Sequence, residues 1–158
     1  VPLTFYPFGQ HGGHFVAETC WKEMMVPLIV DTGSTHSLLH AGLFIHKEGA
    51  NASIGGGAKA DQSTLMVVGG GSTTSCPDEP VQVSGMLLGP VELPPGFWNL
   101  LDLKAIRNRY RENRYPPPCG LIGLDMLRQL HAIVDCSLDN PSLGFPQIRP
   151  NQPKPSIK

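Results

Sequence analysis

The chain has 158 residues, enough for one domain with a buried core. Its formal net charge is −1, with acidic and basic side chains spread along it, which argues against a nucleic-acid-binding face or a polybasic membrane patch. No apolar run approaches membrane-spanning length, and 18 glycines with 16 prolines favour short strands and tight turns over long helices.

In chain order, "VPLTFY" (1–6) reads as an opening strand. "HFVAETCWKEMMVPLIVD" (14–31) reads as a hairpin that turns near Lys22-Glu23 and returns into Asp31. "THSLLHAGLF" follows as an apolar strand or turn, and 47–68 places a glycine-rich tip between two flanks. "PVQVSGMLLGPVELPPGFWNLLDL" predicts two or three strands punctuated by Gly and Pro. "LDLKAIRNRYRENRY" (101–115) has helical character, with Asp102 a candidate N-cap and a solvated basic face, and Pro116–Pro118 end it. A short strand at "GLIG", a helix over 124–131 and a hairpin turned at Asp139-Asn140-Pro141 close the pattern. The stretch 147–158, rich in Pro and poor in large hydrophobes, reads as a flexible tail. The fold class is therefore mostly β with one or two short helices.

The segment "LIVDTGSTHSLL" (28–39) carries the chemistry. An Asp-Thr-Gly at a strand end can be an ordinary turn, with Asp capping amides and Gly supplying positive φ. Here apolar runs flank it on both sides, which sets the carboxylate between apolar walls. Burial of a lone carboxylate costs several kcal/mol or more unless it is paired or protonated, and a structure that tolerates this usually uses the group.

"LIVDTGST" resembles the active-site loop of the retropepsin-like aspartic proteases, the single-lobe family of retroviral proteases and bacterial relatives. The ordered pieces around it are similar too. "VPLTFY" and its hairpin precede the loop, "SIGGGAK" (53–59) stands where the family has its flap, and "GLIGLDML" (120–127) resembles its second signature. "HAIVDCSLDNPSLGF" resembles the closing strands of bacterial members, so the likeness spans residues 1–146. It implies a closed-barrel-like fold and an aspartic endopeptidase acting on polypeptide without a cofactor. Asp31 would be the catalytic carboxylate, Thr32 would brace two loops across a dyad, and Gly33 would let amides face the carboxylates. Ser34 and His36 would lie against substrate, and Ile54, Gly55, Gly56 and Gly57 would form the flap tip. Gly69–Gly71 compete with 54–57 for that role. The rival reading is a non-catalytic peptide-binding or assembly module on the same fold.

Peptide hydrolysis by carboxylates needs two that share one proton, because like charges that close do not both ionise. "AIVDCSLD" (132–139) echoes the first loop, but Cys136 replaces the threonine and Ser137 the glycine, so Asp135 reads as a strand-end turn residue. Asp125 starts a predicted helix, where capping or an arginine partner suits it better. Asp102 has no Thr-Gly after it. By elimination the second acid comes from another copy, which predicts a homodimer with Asp31 opposite its own image.

His11 with His14, and His36 with His40, invite a metal reading, but neither HExxH nor a cysteine pair accompanies them, so no metal is expected. The spacing of Cys20, Cys76, Cys119 and Cys136 is compatible with two disulfides or four free thiols. Val1 in place of an initiator Met suggests a processed segment whose targeting sequence has gone. With the cysteines, that points to the periplasm or the exterior.

Overall fold

A computed structural model of the chain describes residues 1–10, 12–45 and 80–146. The expected flap tip at 54–57, the rival cluster at 69–71, His11, Cys76 and the tail at 147–158 lie outside the described residues. The described part is mostly β, as expected, but no closed barrel is seen among the described residues: the main sheet runs from β1 (Leu3–Pro7), bridged at Pro2 to Ser142 of the closing hairpin, to β7 (Val81–Val83).

Strands β1 (Leu3–Pro7) and β2 (Gly13–Ala17) pair antiparallel, and β2 pairs with β5 (Leu28–Val30). Between them, β3 (Thr19–Trp21) and β4 (Met24–Met25) form the expected hairpin. Its two-residue loop is Lys22-Glu23, with φ of 49° and 65°. Two positive φ values match the twist of a tight hairpin, a conformation that side chains other than Gly, Asn and Asp adopt at a cost of roughly 1–2 kcal/mol per residue. Strand β6 (Leu38–His40) leads into the helical turn α1 (Gly42–Ile45). After the gap come β7 (Val81–Val83), β8 (Leu87–Leu88), β9 (Val91–Glu92) and β10 (Gly96–Leu101), one strand more than the sequence suggested. Then follow helix α2 (Lys104–Glu112), β11 (Gly120–Ile122), helix α3 (Leu124–Gln129), and the hairpin β12 (Ile133–Asp135) and β13 (Ser142–Gly144).

The seven-stranded sheet runs β1-β2-β5-β11-β6-β10-β7. Strand β11 inserts between β5, to which it is parallel, and β6, to which it is antiparallel. Both neighbours are therefore supplied by the two flanks of the Asp-Thr-Gly loop. Apart from His40 at the end of β6, these three strands carry no polar side chain, because both faces of the sheet are covered. Ile29, Leu38, Leu101 and Leu121 point to one face, where they pack with Phe8, Val16 and Tyr110 of α2. Leu28, Leu39 and Ile122 point to the other, where they pack with Trp21, Leu88, Met126, Leu130 and Leu143. That second layer comprises the four-stranded sheet β4-β3-β8-β9, α3 and the closing hairpin. Each fully buried apolar side chain contributes about 1.5–3 kcal/mol, so this double cover makes the loop-bearing strands the rigid centre of the molecule.

Both helices end on a left-handed residue that is not glycine. After α2, Arg114 has φ of 60°, and its N–H reaches Arg111 O at 2.9 Å while Tyr115 N–H reaches Tyr110 O at 2.9 Å. After α3, His131 has φ of 49°, and its N–H donates to Arg128 O at 3.0 Å while Ala132 N–H donates to Leu127 O at 2.9 Å. These paired bonds satisfy carbonyls that a helix end otherwise leaves open. Asp102 does not occupy the N-cap position of α2, which is Leu103. Its Oδ1 instead accepts from Lys104 N–H at 2.9 Å, one residue further on. Among the described residues no helix is long and apolar enough to cross a membrane.

Candidate active site

The first residue past β5 is Asp31 and the first past β11 is Gly123, so the parallel pair delivers two loops to one end of the sheet. Asp31 N–H continues the ladder by donating to Ile122 O at 3.0 Å. Its Oδ1 accepts from Gly33 N–H at 2.8 Å, a bond that an ordinary Asx turn makes as well. Ser34 N–H donates to Asp31 O at 3.3 Å and closes the turn. Added at Gly33, a Cβ would stand 3.2 Å from Asp31 Oδ1, a tight contact against the group the turn holds.

The turn is locked to the second loop. Leu124 N–H donates to Ser34 O at 2.8 Å and Asp125 N–H to Thr35 O at 3.2 Å, so loop carbonyls receive the open donors of α3. Gly123 has no room for a side chain, since a Cβ there would lie 2.6 Å from His36 O and 3.0 Å from Ser34 O. Asp125 is committed to this junction. It accepts from Ser37 N–H at 2.9 Å, from the Ser37 hydroxyl at 2.7 Å and from Met126 N–H at 2.7 Å. Ser37, which is buried, also accepts from Gly123 N–H at 3.0 Å. Of the two roles expected of Asp125, capping or an arginine partner, no arginine is among these partners and Gly123 holds the N-cap position, while Asp125 accepts a first-turn amide of α3 and ties the loops together.

Asp31 itself is half-buried and Thr32 and Gly33 are exposed. The expectation of a carboxylate shut between apolar walls is therefore corrected: the walls are apolar but the group stands at an open mouth. Asp31 and Thr32 line a cavity of about 260 Å³ with Gly13, His14, Phe15, Ile29, Val30, Ile106 and Leu121. No second carboxylate is among those residues. Asp135 is exposed on the separate two-stranded sheet, where its Oδ1 accepts from Ser137 N–H at 2.9 Å, the turn role its sequence suggested.

Of the substrate-facing candidates, Ser34 donates to His36 O at 2.8 Å, which stiffens the turn. His36 is exposed and does not line the cavity. Ile54, Gly55, Gly56 and Gly57 lie outside the described residues. Two neighbours of Asp31 carried no motif in the sequence. His14 arrives through the pairing of β2 with β5, and Ile106 arrives because α2 packs on the face to which Ile29 points. His14 is held below the usual imidazole range by burial first and the Arg109 guanidinium second, with Asp31 acting in the opposite direction.

A second cavity, of about 430 Å³, is lined by His40, Gly42, Leu43, Asp102, Lys104, Arg107 and Arg111. Its one carboxylate, Asp102, accepts from Lys104 N–H at 2.9 Å, the same two-residue turn bond that Asp31 makes with Gly33, but no Thr-Gly follows it. Among the described residues no group of three or more His, Cys, Asp or Glu side chains is gathered to hold a metal. Cys20, Cys119 and Cys136 form no disulfide with one another. Comparison with protein-family models, curated proteins and solved structures returned no match.

Proposed function

We propose that the chain is an aspartic endopeptidase of the retropepsin-like kind, acting as a homodimer in which each copy contributes Asp31. The observation that carries this reading is the loop geometry. One carboxylate is fixed by Gly33 N–H at 2.8 Å at the end of a central strand, facing a cavity without a second acid among its described lining residues.

In the reaction, one carboxylate of the pair is ionised and the other holds the shared proton. The ionised one takes a proton from water as the water oxygen bonds to the scissile carbonyl carbon. The protonated one donates to the carbonyl oxygen. Collapse of the tetrahedral adduct breaks the C–N bond: the carboxyl protonated by the water gives its proton to the amine nitrogen, and the other carboxylate takes one from a hydroxyl of the adduct as the carboxylic acid forms, so the pair again shares one proton. The Gly33 amide and the ladder bond from Asp31 N–H hold the carboxylate still during these transfers, so little reorganisation is needed.

Support for a second copy comes from the closing hairpin. Among the described residues strand β12 pairs only with β13, and Ile133 on it and Leu138 in the turn that follows are 64% and 72% exposed. An edge strand with large apolar side chains invites pairing with another chain.

The test is cleavage of an unfolded protein by the native chain and by Asp31→Asn, across pH 3–8, alongside mass in solution. The native chain should cleave as a dimer, best at acidic to mildly acidic pH, and the variant should lose at least about 10³-fold. Equal cleavage by the variant would move the chemistry elsewhere. A monomer without activity or pepstatin-type sensitivity would leave the binding-module reading in its place.

A further inference from the structure

The parallel strands β6 and β10 end side by side at His40 and Leu101, and from there the chain turns into α1 and α2. The cavity of about 430 Å³ lies at that junction and, among the described residues, shares no lining with the Asp31 cavity. Lys104, Arg107 and Arg111 enter it from α2, three and four residues apart and so on one face of the helix. Ile106 and Tyr110 turn away from it and pack against the sheet.

Local helix chemistry disfavours that basic face. Arg107 and Arg111 are like charges four residues apart, and Lys104 opens the helix at the positive end of its dipole. Among the described residues none of the three cations lies within ion-pair distance of a carboxylate. Asp102, the one acid of the lining, has its Oδ1 taken by Lys104 N–H at 2.9 Å. Cations gathered against local preference around a cavity mark a place where their charge is used.

The donors are also held in place. Arg107 Nη1 donates to Pro118 O, which anchors the guanidinium and leaves its other N–H groups for the cavity. His40 Nδ1 accepts from Leu103 N–H at 3.2 Å, so the neutral ring carries its proton on Nε2. A Cβ at Gly42 would stand 2.6 Å from that Nε2, so glycine there leaves the donor uncovered. Burial first and Arg107 second hold His40 below the usual imidazole range, with Leu101 and Asp102 opposing them.

We propose that this cavity binds a phosphate group, as the free ion or as a small phosphate ester. Three positive side chains less one negative leave a charge of two, with His40 neutral, and a phosphate ester carries roughly −1.5 to −2 at pH 7. A single carboxylate would leave a cation unmatched. Guanidinium forks suit phosphate oxygens bidentately, and a lysine adds a point charge. The volume falls in the range of roughly 300–1,000 Å³ that small-molecule sites occupy. The site is independent of the endopeptidase chemistry, since Asp31 has no part in it.

The experiment titrates the full chain with inorganic phosphate and with O-phospho-L-serine by isothermal titration calorimetry at constant ionic strength, with acetate as the singly charged control. At least one phosphate should bind saturably, and acetate about 10-fold or more weakly. Whichever phosphate binds tighter identifies the source, free ion or ester. Lys104 and Arg111 are exposed, so Lys104→Gln with Arg111→Gln should fold and lose about 10-fold or more in affinity. Arg107→Lys keeps the charge without the fork and should weaken binding several-fold. Phosphate should also move the NMR titration of the His40 imidazole upward while His14 stays in place. If the double variant unfolds, Arg107→Lys and the His40 shift decide. Asp31→Asn should bind phosphate as the native chain does, whether or not the native chain cleaves polypeptide. Absence of saturable phosphate binding, equal affinity for acetate, or undiminished binding in the folded double variant overturns the proposal. Binding that leaves His40 unmoved puts the anion elsewhere and overturns it too.

Discussion

Ser37 and Asp125 are joined by two hydrogen bonds across 88 positions of sequence, Ser37 N–H to Oδ2 at 2.9 Å and the Ser37 hydroxyl to Oδ1 at 2.7 Å. This pair clamps the loop after Asp31 to the start of α3. The Asp125 carboxylate is therefore taken up in holding this junction, whose other end is the turn that begins at Asp31.

Asp125→Ala leaves the Ser37 and Met126 amides without their acceptor. It should cost about 1–3 kcal/mol in urea unfolding, because each group loses a charge-assisted bond inside a partly buried junction. Asp125→Asn, which keeps one acceptor oxygen, should recover part of that. A double-mutant cycle with Ser37→Ala should show clear coupling between the two sites. Additive losses would show that the two bonds do not act as one clamp.

The helix ends offer a stabilising change. Arg114 holds a left-handed conformation, φ 60°, that glycine adopts without steric cost. Replacing it with Gly should gain about 0.5–1 kcal/mol, the steric relief less the extra unfolded-state entropy. At this chain length that is a rise in melting temperature of roughly 1–4 °C. A fall instead would mean the arginine side chain contributes more than its backbone costs.

Acidification should weaken the fold through two histidines. His14 is lowered by burial, then by Arg109. His40 is lowered by burial, then by Arg107, with weaker opposing contributions from the Leu101 backbone and Asp102 and a small lowering from Arg111. A folded-state value below the unfolded value of about 6.5 means that the unfolded chain binds protons first. Stability is then fully present above about pH 6.5 and is lost as pH falls toward the depressed folded-state values. Although His40 Nδ1 lies 4.0 Å from Asp102 Oδ1, the depressed value keeps that contact from being an ion pair at neutral pH. The His40→Asn variant retains an acceptor for Leu103 N–H, bonded to Nδ1 at 3.2 Å, and should flatten the drop in melting temperature between pH 7.5 and 5. An unaltered pH slope would remove His40 from the account. An acid optimum for activity would then operate against declining stability, which narrows the working range from below.

The closing hairpin carries the dimer prediction. Ile133 on β12 is 64% exposed, so Ile133→Glu should leave the monomer folded. It should also convert a concentration-dependent dimer to monomer in analytical ultracentrifugation, with cleavage lost in parallel. A dimer that persists in this variant would place the interface elsewhere, for example on the exposed Met25 and Leu87 of the four-stranded sheet.

What could be read along the chain was local. The turn at Lys22-Glu23, the strands on either side of Asp31, the short helix after "GLIG" and the Asp135 turn all follow from patterns within about ten residues. Helix boundaries were less legible. The 101–115 helix contracts to α2, 104–112, and the 124–131 helix to α3, 124–129. Both stop at left-handed Arg114 and His131, where no glycine marks the end. Whether the sheet closes depends on which strands find neighbours, and no single strand encodes that.

The sequence by itself determined that a carboxylate and a glycine turn sit between two buried strands, because apolar runs and turn chemistry are properties of neighbouring residues. Only the tertiary structure decided what surrounds that carboxylate. His14 and Ile106 reach it from 17 residues before and 75 after, carried by the β2–β5 pairing and by the packing of α2 on the sheet. Such proximity comes from burying apolar faces against one another, and nothing in the local chain near Asp31 records which distant face will arrive.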